Sequence, residues 1–359
     1  MVDFQGWDMP VRYSQIPVEH QQVRESAGLF DLCHMGRLDF SGPDAEDWVN
    51  RLITADLTAI PTGRARYGFL CNPQGGVIDD LIVYRLVDRI FLVVNAGNRE
   101  RVVSWFEEQR QELDAQLADR SEDLAMVAIQ GPDAAEILTR VVKAAETPIA
   151  ELPYYHITNA QLSLQNATAA PARIATTGYT GEPGFEVFLD TQLAEALWET
   201  LQEAGGKAVT AVGLGARDTL RVEAGMPLYG HELSEKTNPY EAGLGPVVKL
   251  DKKTSFIGDE SLRRIREQGP ERKLIGLRVD SKRIARQGMA ILQNDKVVGE
   301  VTSGIPSPTL GYPIAMALVD KSVEAPENLE VDVRGKRVPV IPESLPFYSS
   351  VRKKTAKVL

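Results

Sequence analysis

The run Gly75-Gly76-Val77-Ile78-Asp79-Asp80-Leu81-Ile82-Val83-Tyr84 places two carboxylates inside an apolar, β-branched stretch. It belongs to a series of three strand-like segments between Arg66 and Ala96. Asn72-Pro73-Gln74-Gly75-Gly76 and Asp88-Arg89 separate them, and this punctuation predicts a meander. Successive side chains of a strand point to opposite faces, so Asp79 and Asp80 are not expected to serve one pocket together. Both flanking faces are apolar, and parity does not choose between them. Burying an unpaired carboxylate is costly, so at least one of the two faces a polar cavity or a cation, unless the pair only caps the turn after Gly75-Gly76.

On the N-terminal side, the pattern predicts a helix from Pro17 to Ala27 with Gly28 as its C-cap. Gly36 to Gly42 alternates with period two, and Pro43-Asp44 opens a helix from Ala45 to Leu52. On the C-terminal side, helical spacing runs from Arg99 to Ala118, a strand from Leu124 to Gln130, and a helix from Ala134 to Lys143 behind Gly131-Pro132-Asp133. Strands and helices mix without the strict alternation of a doubly wound sheet, which gives an α+β class. A polar, Gly-Pro-punctuated boundary at 265–273 precedes short strand-like runs from Leu274 to Val279, Ala290 to Leu292, Val297 to Thr302, Ala315 to Val319, Leu329 to Val333 and Val338 to Ile341. Even spacing of short strands predicts a small β-barrel or sandwich. The expected division is residues 1–265 and a C-terminal domain of 274–359.

At 359 residues with 43% hydrophobic and 25% charged side chains, the chain has an ordinary globular composition, which excludes a disordered or fibrous protein. Forty basic against 50 acidic groups give a net charge of -10, which argues against bulk nucleic-acid binding. Cys33 and Cys71 supply neither a disulfide framework nor a four-cysteine metal site, so a reducing compartment is expected. No apolar run approaches the roughly 18 residues needed to cross a bilayer. The first residues lack the basic and apolar regions of a signal peptide, so the expected location is the cytoplasm, or an organelle after processing.

Familiar catalytic motifs are absent. Gly213-Leu214-Gly215-Ala216-Arg217-Asp218 starts like a dinucleotide fingerprint, but Asp218 stands where the third glycine belongs and would repel a pyrophosphate. There is no phosphate-binding Gly-Lys loop and no Gly-x-Ser-x-Gly elbow, and His231-Glu232 lacks the second histidine of a zinc helix. His20, His34, His156 and His231 are too scattered to suggest a metal, and none is expected. Any catalysis must rest on positioning and electrostatics.

Three further constellations stand out. Thr177 to Phe188 sets three glycines around Tyr179 and brings Glu186 into an apolar strand, where its carboxylate could accept two parallel N–H donors from a flat heterocycle or pair with an arginine. Arg217 and Arg221 are four apart on one helix face, where either could grip a carboxylate or simply be solvated. Tyr67 behind Gly63-Arg64-Ala65-Arg66, the pair Tyr154-Tyr155, and the tail Tyr348 with Arg352-Lys353-Lys354 are aromatic and basic, and they read equally as packing residues and a solvated end.

Taken together, these segments resemble the T-protein of the glycine cleavage system, a tetrahydrofolate-dependent aminomethyltransferase. The resemblance rests on Phe4-Gln5-Gly6-Trp7, Ala27 to Gly36, Gly75 to Asp80, Val94-Asn95-Ala96, Gln130-Gly131-Pro132, Gly178 to Glu182 with Gly184-Phe185-Glu186, Gly213 to Asp218, Pro227 to Gly230, Thr302-Ser303-Gly304 with Ser307 to Leu310, and Pro346-Phe347-Tyr348. They follow the family order over almost the whole chain. Departures are small: Thr54-Ala55-Asp56 replaces the family's Thr-Asn-Asp, and Cys33 replaces a serine before His34-Met35-Gly36. Only three residues precede Phe4, so an N-terminal helix of the family is expected to be trimmed.

The resemblance implies an α+β, three-domain fold with a central folate cavity, two interleaved α/β lobes and a C-terminal β-barrel. It implies transfer of the aminomethyl carbon from the lipoyl arm of H-protein to tetrahydrofolate, with ammonia released and 5,10-methylenetetrahydrofolate formed. Functional association with the P- and L-proteins follows, and neither metal nor flavin is expected. Carried over by position, Asp80 is the key acid, Glu186 holds the pterin and Arg217 lies at the folate site. Tyr67, Tyr154, Tyr179, Tyr348 and Arg352 are expected as cavity walls. An aspartate of reference pKa about 3.9 is ionised at neutral pH unless strongly desolvated, which suits Asp80 to stabilising positive charge. Flavin-dependent sarcosine or dimethylglycine oxidases share the architecture but need a dinucleotide-binding half. Folate proteins of iron-sulfur maintenance carry a cysteine where this chain has Thr177 to Pro183, and a pure interaction protein would not bind folate.

Overall fold

In the computed structural model, which describes residues 1–323 and 328–350, the meander forms: Arg64–Cys71 pairs antiparallel with Val77–Arg85, and that strand with Ile90–Val94. Gly36–Ser41 joins beyond Ile90–Val94 and Gln116–Asp119 closes the edge, giving five strands. The second sheet has seven strands in the spatial order Val142–Ala145, Ile157–Leu164, Ala167–Ala175, Gly184–Asp190, Leu124–Gln130, Ala27–Asp31 and Val209–Ala211. The chain enters the second sheet at Ala27–Asp31, crosses to the first through residues 32–35, builds all five of its strands, and returns at Leu124–Gln130. The lobes are therefore interleaved, and the crossing segments run between them.

Each sheet buries one face under helices. Pro132 precedes the helix Ala134–Val141, whose buried side chains Ala134, Ile137, Leu138 and Val141 recur at helical spacing and pack with Leu197 and Leu201 of the helix Ala194–Gly205 against Val127, Ile129 and Val187. On the other sheet, Trp48 of the helix Ala45–Asn50 sits edge-on to Phe40 and Phe106 and donates its Nε1–H to the Phe106 carbonyl at 3.1 Å. A third core joins the inner faces through Phe30, Tyr84, Phe91, Met126 and Phe188. Arg272–Val279, Ala290–Gln293, Lys296–Pro306, Pro313–Asp320, Leu329–Asp332 and Arg337–Glu343 close into a six-stranded barrel.

Two local expectations are corrected. The helix near residue 17 spans Ile16–Glu25, and Gly28 lies inside the strand Ala27–Asp31 instead of capping the helix. A Cβ at Gly28 would come within 2.6 Å of both Val23 and Val212, so the glycine allows helix and strand to pack closely. The helix expected from Arg99 to Ala118 ends at Glu108, because Gln111 adopts a left-handed φ of 54° that no helix propagates, and Gln116–Asp119 then pairs along Gly36–Ser41.

Buried ion pairs fasten the barrel to the lobes. Glu223, at the end of the helix Leu214–Glu223, accepts from Arg24 at 2.9 Å, from the Thr309 backbone at 3.0 Å and from Ser307, and lies 3.2 Å from His20. Arg24 also donates to the Thr180 carbonyl at 2.6 Å and to Glu182 at 3.1 Å, and stacks on the Tyr348 ring at 3.9 Å. Two residues earlier on the same helix, Arg221 grips Glu232 and Asp218, each at 2.8 Å, and donates to Ser303 of the barrel at 2.7 Å.

Burial by itself would raise the Glu223 carboxyl, but the His20 and Ser307 hydrogen bonds and the Arg24 charge outweigh it and hold it at about 2 against an ordinary 4.5. A carboxyl depressed in the folded state stabilises fully above its unfolded value and loses that stabilisation as pH falls through its folded value. Thermal unfolding followed between pH 5 and pH 2 should show a loss of about 3 kcal/mol from this group. Glu223→Gln should be less stable at neutral pH and lack that part of the acid slope.

Candidate active site

Where the chain crosses between the sheets, a cavity of about 300 Å³ opens. Leu32, His34 and Met35 reach it from the crossing segment, Tyr67, Asp80, Ile82, Val93, Asn95 and Asn98 from the meander side, and Met126, Thr177, Tyr179 and Glu186 from the other sheet. Arg217 enters from the helix Leu214–Glu223, and residues 225–229 with Leu244 complete the wall. Its size falls in the range of small-molecule sites, and its lining is largely apolar with a few convergent polar groups. A second hollow of about 320 Å³, lined by Thr62, Asp88, His156 and Arg173 among others, gathers none of the residues the family resemblance carries over as site residues.

The strand Val77–Arg85 delivers Asp80 to the cavity and Asp79 to the opposite face, as alternation requires, and Asp79 is fully buried. The strand ends nevertheless bring both to one partner. Asn95 Nδ2 donates to Asp79 Oδ1 at 2.8 Å and to Asp80 Oδ1 at 2.8 Å, and the Asn95 backbone N–H donates to Asp79 Oδ2 at 3.0 Å. Asn98 Nδ2 adds a bond to Asp79 Oδ1 at 2.6 Å, and the Tyr67 hydroxyl donates to Asp80 Oδ2 at 2.9 Å. Among the described residues no lysine or arginine forms an ion pair with either carboxyl.

Desolvation, then the neighbouring Asp80 charge, pushes Asp79 above the usual carboxylate range despite its N–H donors. Desolvation likewise raises Asp80, against the opposing bonds from Tyr67 and Asn95. Asp80 is thus the strongly desolvated case, and its carboxyl binds a proton more readily than the sequence alone implies.

At Glu186, Thr177 Oγ1 and the Tyr84 hydroxyl, the latter at 3.3 Å, both donate to Oε2, so Oε1 has no protein partner among the described residues. Burial raises this carboxyl too, and no arginine is paired with it. Arg217 forms no ion pair among the described residues and lies 4.7 Å over the Tyr179 ring, whose hydroxyl is tied to the Pro227 carbonyl. Of the two arginines on that helix, Arg221 is consumed by the clasp and Arg217 is left to the cavity. His34 is 3% exposed with its Nδ1 unpartnered, and burial followed by the Arg217 charge pushes it down to about 3, so it stays neutral.

The Gly178–Gly184 loop is pinned from behind. Gln130 donates to the Thr177 carbonyl at 3.2 Å and accepts from Thr180 at 3.1 Å, and a Cβ on Gly178 or Gly184 would overlap its amide at 2.0 Å and 2.5 Å. Room for Gln130, as well as access for a ligand, is what these glycines provide.

Tyr67, Asp80, Tyr179, Glu186 and Arg217 therefore meet in one cavity. Tyr154 does not reach it: its side chain is 66% exposed and touches Tyr155, which lines the wall in its place. Tyr155 takes a left-handed φ of 60°, an irregular backbone that the sequence does not announce. Tyr348 lies outside the lining, bonded to Glu182 at 2.5 Å beneath Arg24, and Arg352 falls outside the described residues. The sequence reading missed His34, Asn95 and Asn98 as site residues. A polar residue ending the apolar run Ile90 to Val94 was the available signal for Asn95.

Comparison with known proteins gives consistent matches. Residues 1–252 match the family profile described as GCVT N-terminal domain, and 272–349 that of the glycine cleavage T-protein C-terminal barrel domain. The chain is 46% identical over 356 residues to an aminomethyltransferase of Streptomyces avermitilis, covering 97% of this chain and 93% of that one. It is 46% identical over 350 residues to the aminomethyltransferase of Saccharopolyspora erythraea, covering 96% and 93%. The crystal structure of glycine cleavage system aminomethyltransferase T from Bartonella henselae superposes with a TM-score of 0.88 at 33% identity, covering 97% of this chain and 93% of that one.

A carboxyl raised by burial stabilises below its unfolded value and loses that contribution as pH rises through its folded value. Asp80→Asn removes the penalty, so its thermal midpoint should exceed that of the wild type at pH 8. The gap should close toward pH 4 in calorimetric scans.

Proposed function

The chain belongs to the glycine cleavage T-protein family of aminomethyltransferases, and on that premise we propose how its cavity carries the reaction. The protein transfers a one-carbon unit from an S-aminomethyldihydrolipoyl carrier to tetrahydrofolate. The carrier is lipoylated H-protein, the P- and L-proteins are functional associates, and the work is done in the cytoplasm.

The balance is R–S–CH2–NH3⁺ plus tetrahydrofolate giving R–SH, NH4⁺ and 5,10-methylenetetrahydrofolate. One folate nitrogen attacks the carbon as the bond to ammonia breaks. The second attacks as the bond to sulfur breaks, and the two folate N–H protons end on ammonia and on the thiol. Positive character builds on the carbon while its bonds exchange, and a carboxylate fixed beside it favours that state over the neutral reactants. Asp80 is that carboxylate. Its raised proton affinity, with burial the main cause, also suits it to take a proton from a folate nitrogen and return it to the thiolate.

Glu186 Oε1 is free to accept N–H donors from the edge of the pterin, and Arg217 offers donors to an acceptor atom of the same ligand. Leu32, Met35, Ile82, Val93 and Met126 give the flat ring apolar walls. Holding folate and lipoyl arm together in one water-poor cavity supplies the remaining acceleration. The single observation behind this reading is Asp80, held by Tyr67 and Asn95 in the cavity that also presents unpaired Glu186 Oε1 and Arg217.

Ammonia release with aminomethylated H-protein, alongside calorimetric titration with tetrahydrofolate, tests it. Asp80→Asn should keep folate affinity within about threefold while turnover drops by roughly 10²–10³, the usual loss for one electrostatic group. Wild-type turnover in that variant would remove Asp80 from the chemistry. Glu186→Gln should weaken folate binding about tenfold, the worth of one charge-assisted hydrogen bond. An unchanged titration would refute the pterin contact.

A further inference from the structure

Asp79 touches neither the cavity nor any cation, yet it is buried completely and takes three N–H donors. Replacing it with an apolar residue would spare the protein a desolvated charge, so its retention beside a second carboxyl needs a reason. Its partners supply one. Asn95 and Asn98 both line the cavity, and both give their amide nitrogens to Asp79, Asn95 sharing its Nδ2 with Asp80. An amide whose NH2 is committed presents its carbonyl oxygen on the other side. Neither Asn95 Oδ1 nor Asn98 Oδ1 has a protein partner among the described residues.

We propose that Asp79 is a positioning residue: by holding the Asn95 and Asn98 nitrogens inward, it leaves their oxygens beside Asp80 as acceptors for the primary ammonium of the aminomethyl group. This rests on the reading of the cavity given above and adds the subsite for the departing nitrogen. A primary ammonium carries three donors and no acceptor, and Asp80, Asn95 Oδ1 and Asn98 Oδ1 are three acceptors. The charges agree as well. Facing the two aspartates are the Asn95–Asn98 turn, the Tyr67, Tyr179 and Tyr229 phenols and Glu232; among the described residues neither carboxyl is ion-paired, Arg217 of the same cavity lying over the Tyr179 ring instead, which suits the pair to a cationic group of the substrate. If the amides were free to flip, an NH2 group would point at the ammonium in a fraction of molecules.

The reverse reaction reads the subsite directly, because free ammonium is then a substrate with 5,10-methylenetetrahydrofolate and dihydrolipoyl H-protein. In full-length Asp79→Asn the KM for ammonium chloride should rise about tenfold, while the KM for methylenetetrahydrofolate and the tetrahydrofolate titration stay within twofold. A merely structural defect lowers the active fraction, and hence kcat, without this selective change in KM. Asn98 is half-buried, and Asn98→Ala keeps the test open if Asp79→Asn folds poorly: its ammonium KM should rise at least threefold. An ammonium KM within twofold of wild type in a folded variant, or equal rises for ammonium and folate, would overturn the assignment. A wild-type chain that binds no tetrahydrofolate would instead bring down the reading of the cavity, and this subsite with it.

Discussion

Two carboxyls on consecutive residues of one strand, enclosed by protein and without a cation against them, form the constraint around which the cavity is arranged. Neither position is comfortable for a charge. Asp79 is accommodated by three N–H donors and Asp80 by Tyr67 and Asn95, and the shared Asn95 amide holds the two carboxyls in one geometry. A solvent-exposed pair would be screened and would do little to a passing cation. Enclosed, the same pair acts with the strength of a low-dielectric site and is already oriented before any ligand arrives. The native state accepts lower stability at this point so that a cationic carbon or nitrogen is stabilised there.

The rest of the molecule supplies rigidity. Arg24 and Arg221 are both saturated, the first by Glu223, Glu182 and the Thr180 carbonyl, the second by Glu232, Asp218 and Ser303. Through them the barrel, the helix Leu214–Glu223 and the loop carrying Tyr179 are fixed to one another, so the cavity wall does not depend on a ligand for its shape. Arg217 without an ion pair among the described residues, Glu186 Oε1 without a donor there and His34 Nδ1 without a partner all lie in the cavity lining, where a polar ligand can satisfy them. Other buried orphans, among them Arg37 Nε, Asp39 Oδ1 and Glu232 Oε1, lie outside it.

Much of this was legible in the chain. Alternation and turn residues gave the meander, the short strands near the C-terminus gave a barrel or sandwich, and charges inside apolar runs drew attention to the Asp79-Asp80 pair and to Glu186, with the family resemblance choosing Asp80 and the barrel. The errors share a cause. The helix expected to continue to Ala118 stops because the strand Gly36–Ser41, far earlier in the chain, recruits Gln116–Asp119. Tyr154 was expected in the wall and Tyr155 stands there instead, next to a left-handed backbone at Tyr155 that no local pattern announces. Tyr348 is a tail anchor because Arg24 and Glu182, far away in sequence, converge on it. Asn95 and Asp79 went unassigned because the first looks like a strand terminator and the second belongs to the wrong face of its strand.

The sequence by itself determined the α+β class, the strand content of both ends, the family to which the segments correspond, and the residue types able to do the chemistry. These depend on local periodicity, turn stereochemistry and the free energy of placing charge among apolar neighbours, all written within short windows of chain. Only the tertiary structure decided which arginine is spent on a clasp and which is left for a ligand, and that carboxyls on opposite faces of a strand meet at a single amide. Those outcomes are set by which residues from distant windows share a dielectric and a hydrogen-bond donor, and proximity of that kind exists only once the two sheets and the barrel have closed around the cavity.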